Sequence, residues 1–557
     1  MARKLMRSIA GWGGAQPRLQ PEVWPVVTPS FTVPAGAEIF TIGSCFARNI
    51  ERNLQTLGFN IPTADASMPD EEWGDDNNQF LNRFTPQSMW QEVHQAAVMY
   101  EKGGFDRDLV QKYAIEHEDK WIDIEFPNYV PVTPDRFFER REYLYAINKR
   151  IFEAGCVTIT LGLIESWQDT ETGLYLNSTP RGRPMLGLGE RFKPILTEFS
   201  EAYRLVDETV ATIKRLNPDV KILMTTSPVP LTRTFTEQDV ITANSHAKSV
   251  LRAVSGEICA KHDDVDYFPA YESVVLTKSW DVWEGDMLHP TKAFIAKIVE
   301  RLAEHYFNEA DAAWTLYHKS FVQALDGSFD DAFASINEAL EQDPDNLEML
   351  RHAAGVAKGV RNTEALLSYV ERVVAIDPKP ADLTMLAATK ARVGDLEGAG
   401  DVYKRIVDML PTNGAVRLQY ARHLMRCGDN ELAERHIEYA LEHNPNYYPL
   451  LLDYAKLALA RGANEAAIER SRRALIVTPP QRADICHLMI GQAHLALGNL
   501  DEARRVAFGD EISGENTSRI LERLRRQLSA LDETAEAQPE PETELQSEPE
   551  PEPAPPA

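Results

Sequence analysis

The chain has 557 residues, of which 43% are hydrophobic, so it is long enough for two or three domains with sizeable cores. Its formal net charge of −27 excludes a general nucleic-acid-binding protein, because neutralising phosphates requires a basic surface. From Asp532 onward nine residues are acidic and none is basic, so the rest of the chain still carries a charge of about −18.

The cysteines and the hydropathy pattern indicate the compartment. Five cysteines, an odd number without CxxC spacing, predict buried thiols in a reducing compartment rather than a disulfide framework or a zinc site. Residues 1–10 include basic residues but no sustained apolar run, and no segment has the length needed to cross a bilayer. We therefore expect a cytoplasmic protein without a transmembrane segment, which leaves open a role at a membrane through a partner.

The first 310 residues alternate between strand-like and helical segments. The predicted strands are Glu38–Ile42, Cys156–Leu161, Lys221–Thr226 and Val265–Pro269. The predicted helices are Phe46–Leu54, Phe199–Leu216, Val240–Ala260 and Ala293–Tyr306. This alternation predicts a three-layer α/β domain over residues 25–310, with a parallel sheet covered by helices on both faces, after an N-terminal extension of residues 1–24.

Several polar or small residues follow the predicted strands. Ser44 stands between the first strand and a helix, beside unpaired backbone N–H groups and the positive end of the helix dipole. Asp286 and His289 stand three residues apart, just before a proline that starts the last helix. Ligands gather at the carboxyl ends of parallel strands, so we expect these residues to converge with Gly162 and Ser227 at one edge of the sheet. The pattern predicts a Ser-His-Asp set, defined by roles rather than chain order.

Five sequence blocks carry a family resemblance. They are Thr41-Ile-Gly-Ser-Cys-Phe-Ala47, Thr160-Leu-Gly-Leu163, Ser227-Pro-Val229, Tyr267-Phe-Pro-Ala-Tyr-Glu272 and Gly285-Asp-Met-Leu-His-Pro290. Together they make roughly residues 25–310 resemble the GSCFA domain, which is similar to the SGNH/GDSL hydrolases. The resemblance implies a flavodoxin-like parallel sheet of the SGNH hydrolase type. It also implies that Ser44 is the nucleophile and that Asp286 and His289 complete the catalytic set.

These roles define a reaction. His289 would take the proton of Ser44 as it attacks an ester carbonyl, and Asp286 would orient the imidazole. The backbone N–H groups of Ser44 and Gly162 would donate to the developing oxyanion.

One part of the superfamily pattern is missing. SGNH hydrolases usually add an Asn side chain shortly after the glycine of the third block, whereas Gly162-Leu-Ile-Glu-Ser-Trp167 has no Asn and places Glu165 there. Asn82 and Asn177 are the candidate replacements. No cofactor and no metal are expected, because four histidines of this half, His94, His117, His246 and His262, show no metal-ligand spacing.

The site residues also have simpler interpretations. Ser44 could serve only as a helix N-cap, and Asp286 and His289 could be ordinary loop residues. Cys45 is a rival nucleophile, because helix N-termini favour thiolates. Trp167 and Arg83 could line a substrate cleft, or belong to the core and to a surface ion pair.

Residues 315–530 repeat with a period near 34. Prolines recur at 344, 378, 411, 445 and 479, and glycines recur in step at 327, 394, 428, 462 and 498. The spacing predicts helix pairs that resemble tetratricopeptide repeats and stack into a solenoid. Arg361 replaces the glycine of the second copy. We expect the concave surface to bind a protein partner, the alternative being a spacer or an oligomerisation element.

The C-terminal tail, residues 532–557, is rich in Pro and Glu, and this composition predicts disorder.

Three functions fit the sequence. The first is a serine esterase or O-acyl-transfer enzyme that acts on ester-linked acyl groups, on a carbohydrate or cell-surface glycan such as a bacterial polysaccharide, with repeats that recruit a protein partner. The second is a non-catalytic adaptor that binds a glycan or protein through the α/β domain and the repeats. The third is a scaffold that positions a glycosyltransferase.

Overall fold

The computed structural model of the protein describes residues 11–34, 36–68, 78–185, 187–278, 280–307, 311–479, 483–508 and 517–536. The chain divides into two compact units, Met1–Arg361 and Asn362–Ala557. Of the segments for which the sequence makes a prediction, residues 1–10 of the N-terminal extension and residues 537–557 of the tail lie outside the described residues.

The first unit contains the strands and the helices that surround them. Its strands are β1 (Ile39–Gly43), β2 (Ala114–His117), β3 (Lys120–Asp123), β4 (Cys156–Leu161), β5 (Glu165–Asp169), β6 (Tyr175–Leu176), β7 (Phe192–Leu196), β8 (Lys221–Thr226) and β9 (Val265–Tyr267). Its α-helices are α1 (Trp12–Ala15), α2 (Cys45–Thr56), α3 (Pro86–Glu101), α4 (Arg107–Gln111), α5 (Pro134–Asn148), α6 (Phe199–Leu216), α7 (Val240–Lys261), α8 (Ala270–Leu276), α9 (Lys292–Tyr306), α10 (Ala312–Leu325), α11 (Phe329–Gln342) and α12 (Leu347–Gly359). Short 3₁₀ turns are Gln16–Arg18, Gln79–Leu81, Lys149–Phe152, Arg183–Met185, Gly189–Arg191 and Trp280–Val282.

The central sheet is parallel, with the strand order β1-β4-β8-β9. Ile42 is in register with Ile159, and Ile159 with Met224. The short strand β9 pairs with β8 from Val265 to Tyr267. Every strand predicted from an apolar run in this half is present, with ends that differ by at most two residues.

Neighbouring side chains along each strand pack on opposite faces of the sheet, as the strand period of two requires. Phe40 and Ile222 pack on one face with residues of α3, α6 and α7. Ile39 and Leu223 pack on the other face with residues of α2, α8 and α9. The N-terminal domain is therefore a three-layer α/β fold, as predicted.

The segment between α3 and α6 contains two further sheets that the sequence pattern does not predict. Strands β2 and β3 form an antiparallel hairpin, and β6, β5 and β7 form an antiparallel sheet in that order. These strands have two to five residues, and most of their side chains are not part of long apolar runs. Their pairing depends on tertiary contacts, which local periodicity does not report.

Helix α10, the first helix of the repeat region, packs on α2 of the α/β domain. His318 of α10 is 2% exposed, and its Nδ1 lies 2.7 Å from Thr56 Oγ1. Because the Thr56 hydroxyl donates to Asn53 O, His318 Nδ1 donates to Thr56. Burial lowers the pKa of His318 to about 4, so the ring is neutral at pH 7. Gly58 gives the indole of Trp314 room, since a Cβ at position 58 would lie 2.7 Å from Trp314 Cγ.

The second unit consists of repeat helices. They are α13 (Thr363–Ile376), α14 (Pro380–Val393), α15 (Leu396–Met409), α16 (Gly414–Cys427), α17 (Asn430–His443), α18 (Tyr448–Ala460), α19 (Asn464–Val477), α20 (Ala483–Ala496), α21 (Leu500–Phe508) and α22 (Thr517–Glu536). Successive pairs of helices pack against each other around small residues that are fully buried at the repeat spacing; these are Ala399, Ala433 and Ala467. This is the predicted tetratricopeptide-repeat solenoid.

The turn inside each repeat requires a left-handed residue. Gly394 and Gly428 have φ values of +93° and +87° and end α14 and α16. Arg361, which replaces the glycine of the second copy, also has a positive φ, +60°. The Cβ of an L-residue makes this conformation costly by about 1–2 kcal/mol, so this turn contains a residue that does not favour its conformation.

We expect Arg361→Gly to stabilise the protein by about 0.5–1 kcal/mol, because relief of the left-handed strain exceeds the added entropy of the unfolded chain. The reverse change, Gly394→Arg, should destabilise it by a similar amount. Urea unfolding followed by circular dichroism measures both. A lower midpoint for Arg361→Gly would show that the arginine side chain stabilises this turn in another way.

Candidate active site

Ser44 stands between β1 and α2, at the carboxyl end of the sheet. It is 3% exposed, and its Oγ has no hydrogen-bond partner among the described residues. It occupies the N-cap position of α2 but accepts no bond from the helix backbone, whereas Thr85 and Thr291 cap α3 and α9 through their hydroxyls. Because buried polar atoms are almost always paired, the free hydroxyl argues against a capping role alone.

The strand ends around Ser44 approach each other at two glycines. A Cβ on Gly43 would lie 2.6 Å from Thr160 Cβ. A Cβ on Gly162 would lie 2.9 Å from Phe84 O and 3.3 Å from Ser44 Cβ. Both positions therefore require glycine, and the approach brings Gly162 beside Ser44.

The chain just before α3 bridges the ends of β1 and β4. Arg83 N–H donates to Gly43 O over 2.7 Å, and Leu163 N–H donates to Phe84 O over 2.7 Å. The Arg83 side chain is fully buried and pairs with Glu92, with 2.8 Å between Nη2 and Oε1. Arg83 thus belongs to the core and anchors this bridge, in contrast to both sequence interpretations, a cleft residue and a surface ion pair.

The two asparagines considered for the oxyanion hole lie next to this bridge. Asn82 Nδ2 donates to Gln79 Oε1 over 2.5 Å, and Asn177 Nδ2 donates to Asn82 O. Their Oδ1 atoms have no partner within the described part of the chain. An amide NH2 carries two N–H groups, so these bonds do not prevent either side chain from donating its second N–H to a substrate oxyanion.

Asp286 and His289 are joined within one tight loop. Asp286 Oδ1 accepts from the N–H groups of Leu288 and His289 over 2.8 and 3.0 Å, and Asp286 Oδ2 lies 2.6 Å from His289 Nδ1. The hydrogen bonds from the His289 ring and from the two backbone N–H groups lower the pKa of Asp286 to about 2. Met287 has a φ of +58° in the loop. The carboxylate therefore orients the ring and leaves Nε2 without a partner among the described residues.

The helices that follow Ser44 and His289 run parallel. Helices α2 and α9 pack against each other, and the rings of Phe59 and Phe307, just beyond their C-terminal ends, lie 4.7 Å apart. Their N-terminal ends therefore point to the same edge of the sheet. The described residues contain no hydrogen bond between Ser44 and His289, whose side chain is 48% exposed.

Residues 38–302 match the model of the GSCFA family. We call this part of the chain, which is similar to the GSCFA family, the GSCFA domain. No curated protein matched the chain.

Solved structures that resemble part of the chain have low sequence identity to it. A tetratricopeptide repeat protein from Parabacteroides merdae is 16% identical, with a TM-score of 0.32, and the match covers 43% of this chain and 93% of that one. PilW, described as a type IV pilus biogenesis factor, is 16% identical, with a TM-score of 0.30 and coverage of 38% and 99%. MamA from Desulfovibrio magneticus is 15% identical, with a TM-score of 0.27 and coverage of 32% and 96%.

A cleft opens beside Gly162 in the GSCFA domain. It has a volume of about 730 Å³, and Phe84 and Leu163 are among its lining residues. Glu165 lines the cleft, and its carboxylate accepts from Thr234 Oγ1 over 2.7 Å and from Phe235 N–H over 3.0 Å. Those bonds hold Glu165 to the 234–235 loop, which accounts for an acidic residue where the superfamily usually has Asn. Trp167 lines the same cleft and also packs against the buried cluster that includes Leu176 and Phe192, so both sequence interpretations of it stay open.

Lys248 is a residue of the GSCFA domain that sequence reasoning missed. It is 1% exposed, and its Nζ donates to Gly162 O over 2.8 Å. Burial lowers the pKa of Lys248 to about 7. The only sequence signal is a lysine on the buried face of α7, in line with Leu251 and Ser255. The amine thus fixes the glycine that lies beside Ser44.

Cys45 is a weak nucleophile in this environment. Burial raises the pKa of its thiol, although the nearby Lys248 acts in the opposite direction. A thiol with a raised pKa carries less thiolate at neutral pH, and the thiolate is the reactive form. The environment therefore favours Ser44 over Cys45.

The remaining histidines of the GSCFA domain do not assemble a metal site. His94 stacks on Trp90, and His262 Nε2 lies 2.7 Å from Asp207 Oδ1. Within the described ranges, no group of three or more His, Cys, Asp or Glu side chains is arranged to hold a metal ion. None of the described helices combines the length and apolarity needed to cross a bilayer.

We expect Lys248→Met to stabilise the protein most at pH 7 and below, and progressively less toward pH 10. The unfolded chain keeps the Lys248 proton up to about pH 10.5, whereas the folded protein releases it near pH 7. Between these two pH values the unfolded state binds more protons than the folded state. The free energy of unfolding of the wild type therefore rises with pH in this range. Thermal unfolding from pH 6 to 10 measures the difference, with the exposed Lys120→Met as a control for charge. A difference that does not change with pH would contradict a buried, titrating amine.

Proposed function

We propose that the GSCFA domain is a serine esterase or O-acyl-transfer enzyme whose nucleophile is Ser44. The observation that carries the proposal is the unpaired, buried Ser44 hydroxyl at a strand end, beside Gly162, where a Cβ would collide with Phe84 O. Most structural serines satisfy their hydroxyls, whereas a nucleophile needs its hydroxyl available to a base. The hydrolase-like sequence blocks support the same role.

His289 is the proposed base, with Asp286 as its orienting carboxylate. The 2.6 Å contact between Asp286 Oδ2 and His289 Nδ1 supports this assignment, because it directs the proton-accepting Nε2 away from the loop. The parallel run of α2 and α9 puts their N-terminal ends at one edge of the sheet. A shift of the 283–290 loop on substrate binding would bring Nε2 to Ser44, since catalytic hydrogen bonds often tighten only in the complex.

The proposed oxyanion hole is formed by the backbone N–H groups of Ser44 and Gly162, with Asn82 as a third donor. The position of Gly162 beside Ser44 and the Lys248 hydrogen bond that holds it support the first two donors. One such donor typically lowers the activation free energy by about 3–4 kcal/mol. Ester-linked acyl groups on a carbohydrate or cell-surface glycan are the proposed substrates, on the strength of the superfamily resemblance.

A non-catalytic adaptor is the second candidate. The half-exposed His289, without a hydrogen bond to Ser44 among the described residues, favours it, as does the absence of an Asn in residues 162–167. The two candidates differ in whether the Ser44 hydroxyl reacts.

We expect the wild-type chain to hydrolyse a short-chain p-nitrophenyl ester and to react with a fluorophosphonate probe. Ser44→Ala should lose labelling, His289→Ala should lose turnover, and Asp286→Asn should reduce turnover by up to about 10⁴-fold, because the imidazole adopts the wrong tautomer. Cys45→Ala is the matched neighbour control and should keep both activities. If the wild type neither reacts with the probe nor hydrolyses the ester, the adaptor is favoured. If Cys45→Ala loses labelling and Ser44→Ala keeps it, the nucleophile is Cys45.

We also propose that the repeats recruit a protein partner, because stacked helix pairs create an extended surface suited to binding. The full chain should capture a partner that a chain ending at Arg361, the limit of the first compact unit, does not capture. Affinity purification with mass spectrometry compares the two chains, and Ser44→Ala serves as a control with intact repeats. Equal recovery of the partner by both chains would contradict the proposal. Light scattering would then test whether the repeats serve in oligomerisation.

A further inference from the structure

The cleft beside Gly162 has features that point to the chemistry of its ligand. Two of its residues, Ser166 and Asn177, are 3% and 4% exposed, and each leaves one oxygen, Ser166 Oγ and Asn177 Oδ1, without a partner among the described residues. Buried polar atoms without partners are costly unless a ligand or water satisfies them. A ligand with several hydroxyl groups meets that need.

The cleft also presents an aromatic surface. Trp167 and Phe235 both line it, with ring centroids 5.7 Å apart and planes at 74°. Both side chains are partly exposed. A partly exposed aromatic ring offers an apolar face of the kind that packs against the C–H face of a sugar ring.

The charge of the cleft is positive. Arg181 and Arg233 line it and are exposed, and neither guanidinium forms an ion pair with a carboxylate in the part of the chain that the structure describes. The carboxylate in the cleft, Glu165, is already held by Thr234 and Phe235. Described arginines elsewhere in this acidic chain commonly pair with Asp or Glu, as Arg191 does with Asp169. Two arginines without a carboxylate partner in one cleft therefore indicate an anionic ligand.

We propose that this cleft binds an acidic carbohydrate, a uronate-containing glycan, with a sugar ring against Trp167 and its carboxylate on Arg181 and Arg233. The inference rests on the proposed function, because it names the class of ester that would reach Ser44. Phe84 and Leu163, which line the cleft, bond to each other through their backbones next to Gly162. In the proposed pose, the ester of the bound sugar occupies this part of the cleft, beside Gly162 and Ser44, and the carboxylate lies on the arginines.

Binding tests the inference without requiring catalysis. Calorimetry on the full chain would compare tetramers of galacturonate, glucuronate and mannuronate with neutral tetramers of galactose, glucose and mannose. We expect at least one uronate tetramer to bind about tenfold or more tightly than its neutral counterpart, with an affinity that falls as salt rises. If no uronate tetramer binds better than its neutral counterpart, the inference is overturned.

Variants assign the binding to the cleft. Arg181→Gln and Arg233→Gln should each weaken uronate binding about tenfold, and Trp167→Ala should weaken it several-fold for acidic and neutral tetramers alike. Arg215→Gln, which removes an equal charge from an arginine paired with Glu101 outside the cleft, is the matched control and should bind like the wild type. Equal effects of Arg215→Gln and Arg233→Gln would show a general charge effect and overturn the site.

Ser44→Ala separates this inference from the proposed function. Uronate binding that persists in Ser44→Ala, with no ester turnover by the wild type, would support the cleft and reject the esterase. Ester turnover by the wild type without preference for uronate tetramers would support the esterase and reject the acidic ligand.

Discussion

The arrangement of the α/β domain depends on how closely the backbones of β1 and β4 approach each other at their carboxyl ends. At Gly43 and Gly162 there is no room for a Cβ, because Thr160 on one side and Phe84 on the other already fill it. This approach brings a serine, a glycine and the start of a cleft together at one edge of the sheet. Side chains at either glycine would separate the strand ends and remove the proposed oxyanion donors from Ser44.

Buried ion pairs hold the polypeptide that closes this edge. Arg83 pairs with Glu92, and Arg141 pairs with Asp123 and Glu125, all of them 5% exposed or less. Removing ions from water is expensive, and an unpaired partner left behind would be strongly destabilising. Burial raises the pKa of Asp123 even beside Arg141. The Arg83–Glu92 pair holds the chain before α3, which contributes Phe84 to the lining of the cleft, and the Arg141 pairs hold α5 to the end of β3.

The two parts of the proposed catalytic set are positioned by different kinds of interaction. Asp286 and His289 are joined by local hydrogen bonds within one loop, so the pair does not depend on how that loop packs against the rest of the domain. Ser44 is held by the sheet and by α2, in the buried interior. Helix α2 packs along α9, which follows the Asp286–His289 loop, and the exposed residues of that loop lie between α8 and α9. Lys248 adds a buried amine at Gly162, a feature of the site that depends on tertiary burial.

Local apolar periodicity, with glycines and prolines at fixed spacing, was enough to predict the parallel strands, the helices beside them and the repeat helices. The sequence marked Arg361 as the irregular copy, and the structure shows that its backbone still has a positive φ. The sequence also pointed to Ser44, Gly162, Asp286 and His289, because each stands at a strand end or in a tight loop. The structure was needed to show that Arg83 is a core residue, that Glu165 is held by Thr234 and Phe235, and that Lys248 reaches Gly162. The short antiparallel strands and the cleft with its two arginines also depend on it. These features arise from contacts between residues far apart in the chain, and local composition carries no information about which distant groups will meet.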